Sequence, residues 1–227
     1  MKALLMGGQA CIFYGAAEFS RDLDLLILVD ADNLVRLRSA LEALQTELIA
    51  VPALQIEYLE RGHAIHFRCH RDDVSGLRID VMSKLRGVAP FLELWERRTT
   101  IEVDGEPVDL LALEDLVLAK KTQRDKDWPM IRRLVEQSYF ASDAPPPVEF
   151  WLRELRSPEL LIEVATANAD LASRIAEVRP AVAAALNRGD EVASLLDEEE
   201  RTERRLDREY WEPLKRELAQ IRRDRGR

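Results

Sequence analysis

Asp22 and Asp24 stand two residues apart at the head of the apolar run 23–29. On a strand, residues i and i+2 point to one face, so both carboxylates aim the same way. Two like charges so close repel unless a proton or a cation intervenes. Mg²⁺ is the natural cation, because it binds through one or two carboxylates plus substrate phosphates. A third acid, Asp80, lies inside the alternating stretch LRIDVMS, between Ile79 and Val81. An aspartate in a strand interior is costly unless it is paired or holds a metal. Three acids on neighbouring strands would suit a two-metal phosphoryl-transfer site, with Asp80 positioned to take the acceptor's proton. Taken singly, Asp22 reads as a turn residue, Asp24 as a strand-end cap and Asp80 as a salt-bridge partner.

Gly7 and Gly8 follow the apolar KALLM. Backbone N–H groups there can approach phosphate with no Cβ in the way. No Walker-type P-loop and no Gly-x-Gly-x-x-Gly fingerprint occurs. Lys120 shares a helix face with Leu113, Leu116 and Val117, at i, i+3, i+4 and i+7. It extends an apolar stripe and is a candidate phosphate ligand; snorkelling to solvent is the plain alternative. Lys121 points off that stripe, and Lys126-Asp127 reads as a helix-start salt bridge. His63, His66, Cys69 and His70 cluster in sequence but lack a second ligand pair with zinc spacing.

The elements that must position these residues are legible in part. The pattern predicts a strand over KALLM, a short helix over QACIFYGAA and an apolar strand over 23–29, buried on both faces. Asp30 to Asn33 looks like a helix cap, and 34–48 has helical spacing throughout. HAIHFRC and GLRIDVM alternate as strands. TTIEVDGEPVDLL reads as a hairpin turning at Asp104-Gly105. From Leu113 onward the chain is helical, punctuated by Ala144-Pro145-Pro146-Pro147. The expected fold is α+β: a small mixed β-sheet with flanking helices over 1–143, then an all-helical domain over 148–227. Leu206, Tyr210, Leu214 and Leu218 form one stripe on the last helix, which is otherwise salt-bridged and solvated.

Composition bounds the rest. A chain of 227 residues has ample length for a core. A net charge of −9 argues against coating nucleic acid non-specifically. The only two cysteines, Cys11 and Cys69, lie in apolar surroundings, which fits a reducing cytoplasm better than a disulfide framework. Lys2 and the apolar stretch after it loosely mimic a signal peptide, but Gly7, Gly8 and Gln9 interrupt it. No apolar run approaches the ~20 residues of a membrane-spanning helix, so no membrane partner is expected.

The ordered set of Gly7-Gly8, Asp22-Leu23-Asp24 and Asp80 resembles the nucleotidyltransferase superfamily, the DNA polymerase β-like fold. The stretch ALEDLVLAKKTQRDKDWPMIRRL is similar to its toxin-like and aminoglycoside-modifying branches, through Arg124, Lys126 and Asp127. The resemblance spans about residues 3–134. It departs at Glu18, where many relatives carry Arg, and leaves Arg21 as the nearby cation. It implies a cytoplasmic, Mg²⁺-dependent transferase moving a nucleoside monophosphate from an NTP, such as ATP, to a hydroxyl or amine. Asp22, Asp24 and Asp80 would hold two Mg²⁺ ions, while Gly7, Gly8, Ser20, Arg21 and Lys120 would hold the nucleotide. The acceptor stays open among small molecules, tRNA and proteins, and a cognate antitoxin is an implied partner. The alternative is a non-catalytic nucleotide-binding or regulatory protein on a decayed fold of this kind.

Overall fold

The alternating stretches of the N-terminal half become one seven-stranded mixed sheet in the computed structural model, which describes residues 1–141, 145–187 and 189–225. In chain order the strands are β1 (Ala3–Met6), β2 (Asp22–Ile27), β3 (Thr46–Leu48), β4 (Ile65–Cys69), β5 (Arg78–Met82), β6 (Thr99–Val103) and β7 (Glu106–Leu110). Their spatial order is β3-β4-β5-β2-β1-β7-β6. β2 and β5 run parallel at the centre, and β1 and β4 flank them antiparallel. The expected hairpin is β6–β7, with Asp104 at φ +53° and Gly105 at φ +82°. Two positive φ angles are what a type I′ turn needs, and Asp-Gly supplies them cheaply.

One face of the sheet is apolar. Ile65, Phe67 and Cys69 alternate inward on β4, and Ile79 and Val81 do so on β5. Helix α2 (Ala31–Ala43) lays Leu34, Leu37 and Leu41 across them, and α3 (Ile56–Arg61) adds Leu59. The side chain of Asp30 caps α2 by accepting from the Asn33 amide at 2.7 Å. The remaining residues of β4 and β5 therefore point to the opposite face: His66 and Arg68, Arg78 and Asp80.

The structure corrects two expectations about this region. The helical pattern over 34–48 stops at Ala43, because Gln45 takes φ +51° and Thr46–Leu48 turn into β3. β3 is an edge strand whose inward-facing backbone groups pair with β4. The strand over 23–29 is not buried throughout: only Leu26 and Ile27 are fully so, and the half bearing the acids is half-buried.

Helices fill the rest. They are α1 (Gly7–Phe13), α4 (Phe91–Glu96), α5 (Leu113–Ala119), α6 (Asp127–Phe140), α7 (Val148–Glu154), α8 (Pro158–Ala167), α9 (Ala169–Ala176), α10 (Pro180–Leu186) and α11 (Val192–Arg225). The chain forms two units, one of residues 1–119 with 209–227 and one of residues 120–208. The proline run was the expected divide. Its Ala144, like the boundary at 143, lies outside the described residues. Helices α6 and α7 on either side of it pack together within the second unit, where Trp151 Nε1–H donates to Ser138 at 3.1 Å and the Trp151 and Tyr139 rings meet edge-on. Pro213 sits inside α11 and has no backbone N–H to give to the helical ladder, in the stretch where α11 passes from one unit to the other.

Within the first unit, the end of α11 docks by specific contacts. Glu217 accepts from the buried His63 Nε2 at 2.9 Å and from Arg61 at 3.1 Å. Leu214 packs beside Gly62, whose φ of +98° is what favours glycine there; a Cβ on it would meet Leu214 Cδ1 at an ordinary 3.6 Å. Leu206 and Tyr210, earlier on the expected stripe, are exposed. In the second unit, Arg179 is the organising side chain. It donates to the Leu152 carbonyl at 2.7 Å and the Leu155 carbonyl at 2.8 Å, and pairs with Glu199 at 3.0 Å. No described helix is long and apolar enough to cross a membrane.

Candidate active site

The three acids share one face of the sheet. Asp22 and Asp24 do so by strand alternation, and Asp24 and Asp80 are register partners on adjacent parallel strands. The register builds two rows across the strands. One row runs Met6–Asp24–Asp80–His66 over β1, β2, β5 and β4. The row beside it runs Asp22–Arg78–Arg68.

Gly7 has a defined job here. At φ +67° it holds a conformation that side chains rarely adopt. A Cβ on it would lie 1.8 Å from Oδ2 of Asp24. A Cβ on Gly8 would lie 2.4 Å from the Ser20 hydroxyl oxygen. The two glycines make room for the Asp24 carboxylate and the Ser20 side chain. Ser20 in turn donates to the Asp22 carbonyl at 3.2 Å, and Gln9 donates to the Ser20 carbonyl at 3.3 Å. Gly7, Gly8, Ser20, Asp22 and Asp24 therefore form one connected patch, with the exposed Arg21 at its edge.

Asp80 is tightly held. Arg78 Nε donates to its Oδ1 at 2.7 Å, and Arg78 Nη2 donates to its Oδ2 at 2.8 Å. His66 Nδ1 lies 2.8 Å from Oδ1 and must carry the proton, since an ionised carboxylate can only accept. Burial would raise the Asp80 carboxyl, but the bonds from His66 and Arg78 outweigh it and hold the group below the usual range. Hydrogen bonding to Asp80, with Asp22 and Asp24 nearby, pushes the Arg78 guanidinium up. The salt-bridge reading of Asp80 is thus realised alongside its place among the acids. Among the described residues, no three carboxylate, imidazole or thiol groups gather to hold a single ion. A hard cation would rest on the carboxylates of Asp22 and Asp24, with phosphate oxygens completing its shell, and oxygen donors of this kind fit Mg²⁺.

Lys120 lies one residue beyond α5, in the second unit. It is buried, and its ammonium is 3.4 Å from Asp127 Oδ1. Asp127 also accepts from Thr122 at 2.5 Å and from Arg124 at 2.6 Å. Burial would raise its carboxyl; Lys120, Thr122 and Arg124 together lower it. Asp127 is thus held by Lys120, Thr122 and Arg124 and not by the neighbouring Lys126, because the loop folds back over the start of α6. The sequence cluster of histidines and cysteine disperses. His63 faces Glu217, His66 faces Asp80, Cys69 enters the core and His70 meets Glu47 at 3.2 Å.

Sequence reasoning missed Arg78, His66 and Glu217. Arg78 was within reach, because the i, i+2 rule that joins Asp22 to Asp24 also joins Arg78 to Asp80. The other two depend on pairings across 14 and 154 residues.

No family model and no curated protein matches the chain. Among solved structures, an antigenic nucleotidyltransferase-like protein from Paracoccidioides brasiliensis is similar at 18% identity, covering 83% of this chain and 85% of that one, with a TM-score of 0.38. JHP933 from Helicobacter pylori is similar at 13% identity, covering 97% and 89%, with a TM-score of 0.32. The chemistry of the site rests on its own residues.

Proposed function

We propose that this chain transfers a nucleoside monophosphate from a Mg²⁺-bound NTP to a hydroxyl or amine acceptor. The observation that carries this reading is the register of Asp24 with Asp80 on a face that Asp22 shares, beside a glycine whose missing Cβ admits the Asp24 carboxylate. Asp22 and Asp24 would hold the ion, and Ser20 and Arg21 would meet phosphate oxygens. A divalent ion bound there would polarise the α-phosphoryl group and offset charge on the departing pyrophosphate. The acceptor atom attacks the α-phosphorus, the bond to the bridging oxygen breaks, and pyrophosphate leaves. Asp80 is a weak base while Arg78 and His66 hold it ionised, so the acceptor's proton goes to water. The resemblance also suggests a toxin-type role in the cytoplasm with a cognate antitoxin, or a small-molecule-modifying role.

The test is incubation with each α-labelled NTP and Mg²⁺, against RNA, protein and small-molecule acceptors, beside Asp24→Asn. Label transfer by the wild type and its loss in the variant is the expected result. A second reading, a nucleotide-binding protein without transfer, is favoured by the Arg78–Asp80 ion pair. It predicts Mg²⁺-dependent nucleotide binding with no labelled product for any acceptor.

A further inference from the structure

Both oxygens of Asp80 accept hydrogen bonds from Arg78, and one of them also accepts from His66. Arg78 is itself the register partner of Asp22, so a guanidinium stands in the row beside Asp24 and Asp80. We propose that Arg78 takes the part of a second metal ion: the face holds one divalent cation, on Asp22 and Asp24, and Asp80 is the anchor that fixes Arg78 against the substrate's phosphates. This rests on the reading of the face as a Mg²⁺–NTP site.

Three observations point this way. The guanidinium grips Asp80 through two parallel bonds, the geometry in which arginine is most firmly oriented. His66 Nδ1 lies 3.1 Å from Arg78 Nη2, so the imidazole packs against the same pair. The Arg78 side chain is 40% exposed while Asp80 is 14% exposed, and Nη1 makes no hydrogen bond among the described residues. A forked cation, held from below with an open edge, is suited to phosphate oxygens. A second ion on Asp80 would have to displace the guanidinium or sit against it.

Counting bound metal tests this. Mn²⁺ is titrated into the wild type with the α,β-methylene analogue of each ribonucleotide in turn, and bound ion is read by electron paramagnetic resonance. One Mn²⁺ per chain is expected. Asp80→Asn should keep that count, with Mn²⁺ affinity within about twofold. Arg78→Gln should weaken nucleotide binding at least tenfold, and Arg78→Lys by less. Two Mn²⁺ in the wild type, or an ion lost in Asp80→Asn, overturns the proposal and leaves the transferase reading standing. No Mn²⁺ bound with any of the nucleotides overturns both. The wild-type count decides even where a variant fails to fold.

Discussion

Gly7 and Asp24 occupy each other's space: the carboxylate Oδ2 lies 1.8 Å from where a Cβ on Gly7 would be. Gly7→Ala must therefore move Asp24 or the start of α1, and it also forces a side chain into φ +67°. A cost of about 1–3 kcal/mol in stability is expected from the backbone strain. The displaced carboxylate should lower Mn²⁺–nucleotide affinity at least tenfold. Chemical denaturation and metal titration read the two effects separately.

Gly8 gives a cleaner version of the same test. Its backbone is ordinary, and the clash is with Ser20 alone, at 2.4 Å from the hydroxyl and 2.9 Å from its Cβ. Gly8→Ala should destabilise by about 1–3 kcal/mol, the usual range for overpacking. Adding Ser20→Gly should recover part of that loss in thermal melts. No recovery would mean that the strain lies elsewhere.

Asp24→Asn removes a charge while keeping the shape. Mg²⁺ alone should raise the wild-type melting temperature slightly, and Mg²⁺ with a non-hydrolysable NTP should raise it more, because phosphates complete the shell. In the variant the extra rise should vanish. An undiminished response there would remove Asp24 from the metal site.

Asp127 should carry a pH signature. Its carboxyl is 3% exposed and is held below its ordinary value of 3.8. A depressed folded value gives stability that is complete above the unfolded value and disappears as pH falls through the folded one. Asp127→Asn should therefore cost about 3–5 kcal/mol at neutral pH, as breaking a buried pair does. The gap from wild type should begin to close below about pH 4. Lys120→Met in the same background should return part of the loss, since it removes the stranded ammonium. Measured alone, Lys120→Met distinguishes its two roles: a phosphate ligand would lose nucleotide affinity at least tenfold, and a structural cation would not.

Glu217→Ala should unfasten the end of α11. His63 is buried, and its Nδ1 has no hydrogen-bond partner among the described residues, so losing the Nε2 partner leaves the ring wholly unsatisfied. A loss of about 1–3 kcal/mol is expected. Hydrogen exchange should quicken over residues 209–225 and hardly change in α6.

Local pattern revealed local structure. The alternation of β4 and β5 and the Asp104-Gly105 turn are short-range signals, and each was readable. β3 was not, because Thr46–Leu48 continues a helical spacing and becomes a strand only by pairing with β4. The acids were legible as same-face residues, because strand period is fixed by geometry. What holds Asp80 was only half legible: Arg78 is two residues away, whereas His66 reaches it through the β4–β5 register. The proline run looked like the divide because prolines break helices, but the tryptophan and tyrosine beside it pack across it. Nothing local in α11 announces that its last turns answer to His63.

That last contact sets an order of events during synthesis. The first unit lacks residues 209–227 until the whole of residues 120–208 has been made as one continuous block. At ordinary translation speeds, the sheet waits on the order of ten seconds for the segment carrying Leu214 and Glu217. During that interval Gly62 and His63 at the α3 corner lack the contacts of Leu214 and Glu217. A ribosome-bound intermediate stalled before Glu209 should accordingly recruit chaperones more strongly than the released protein does.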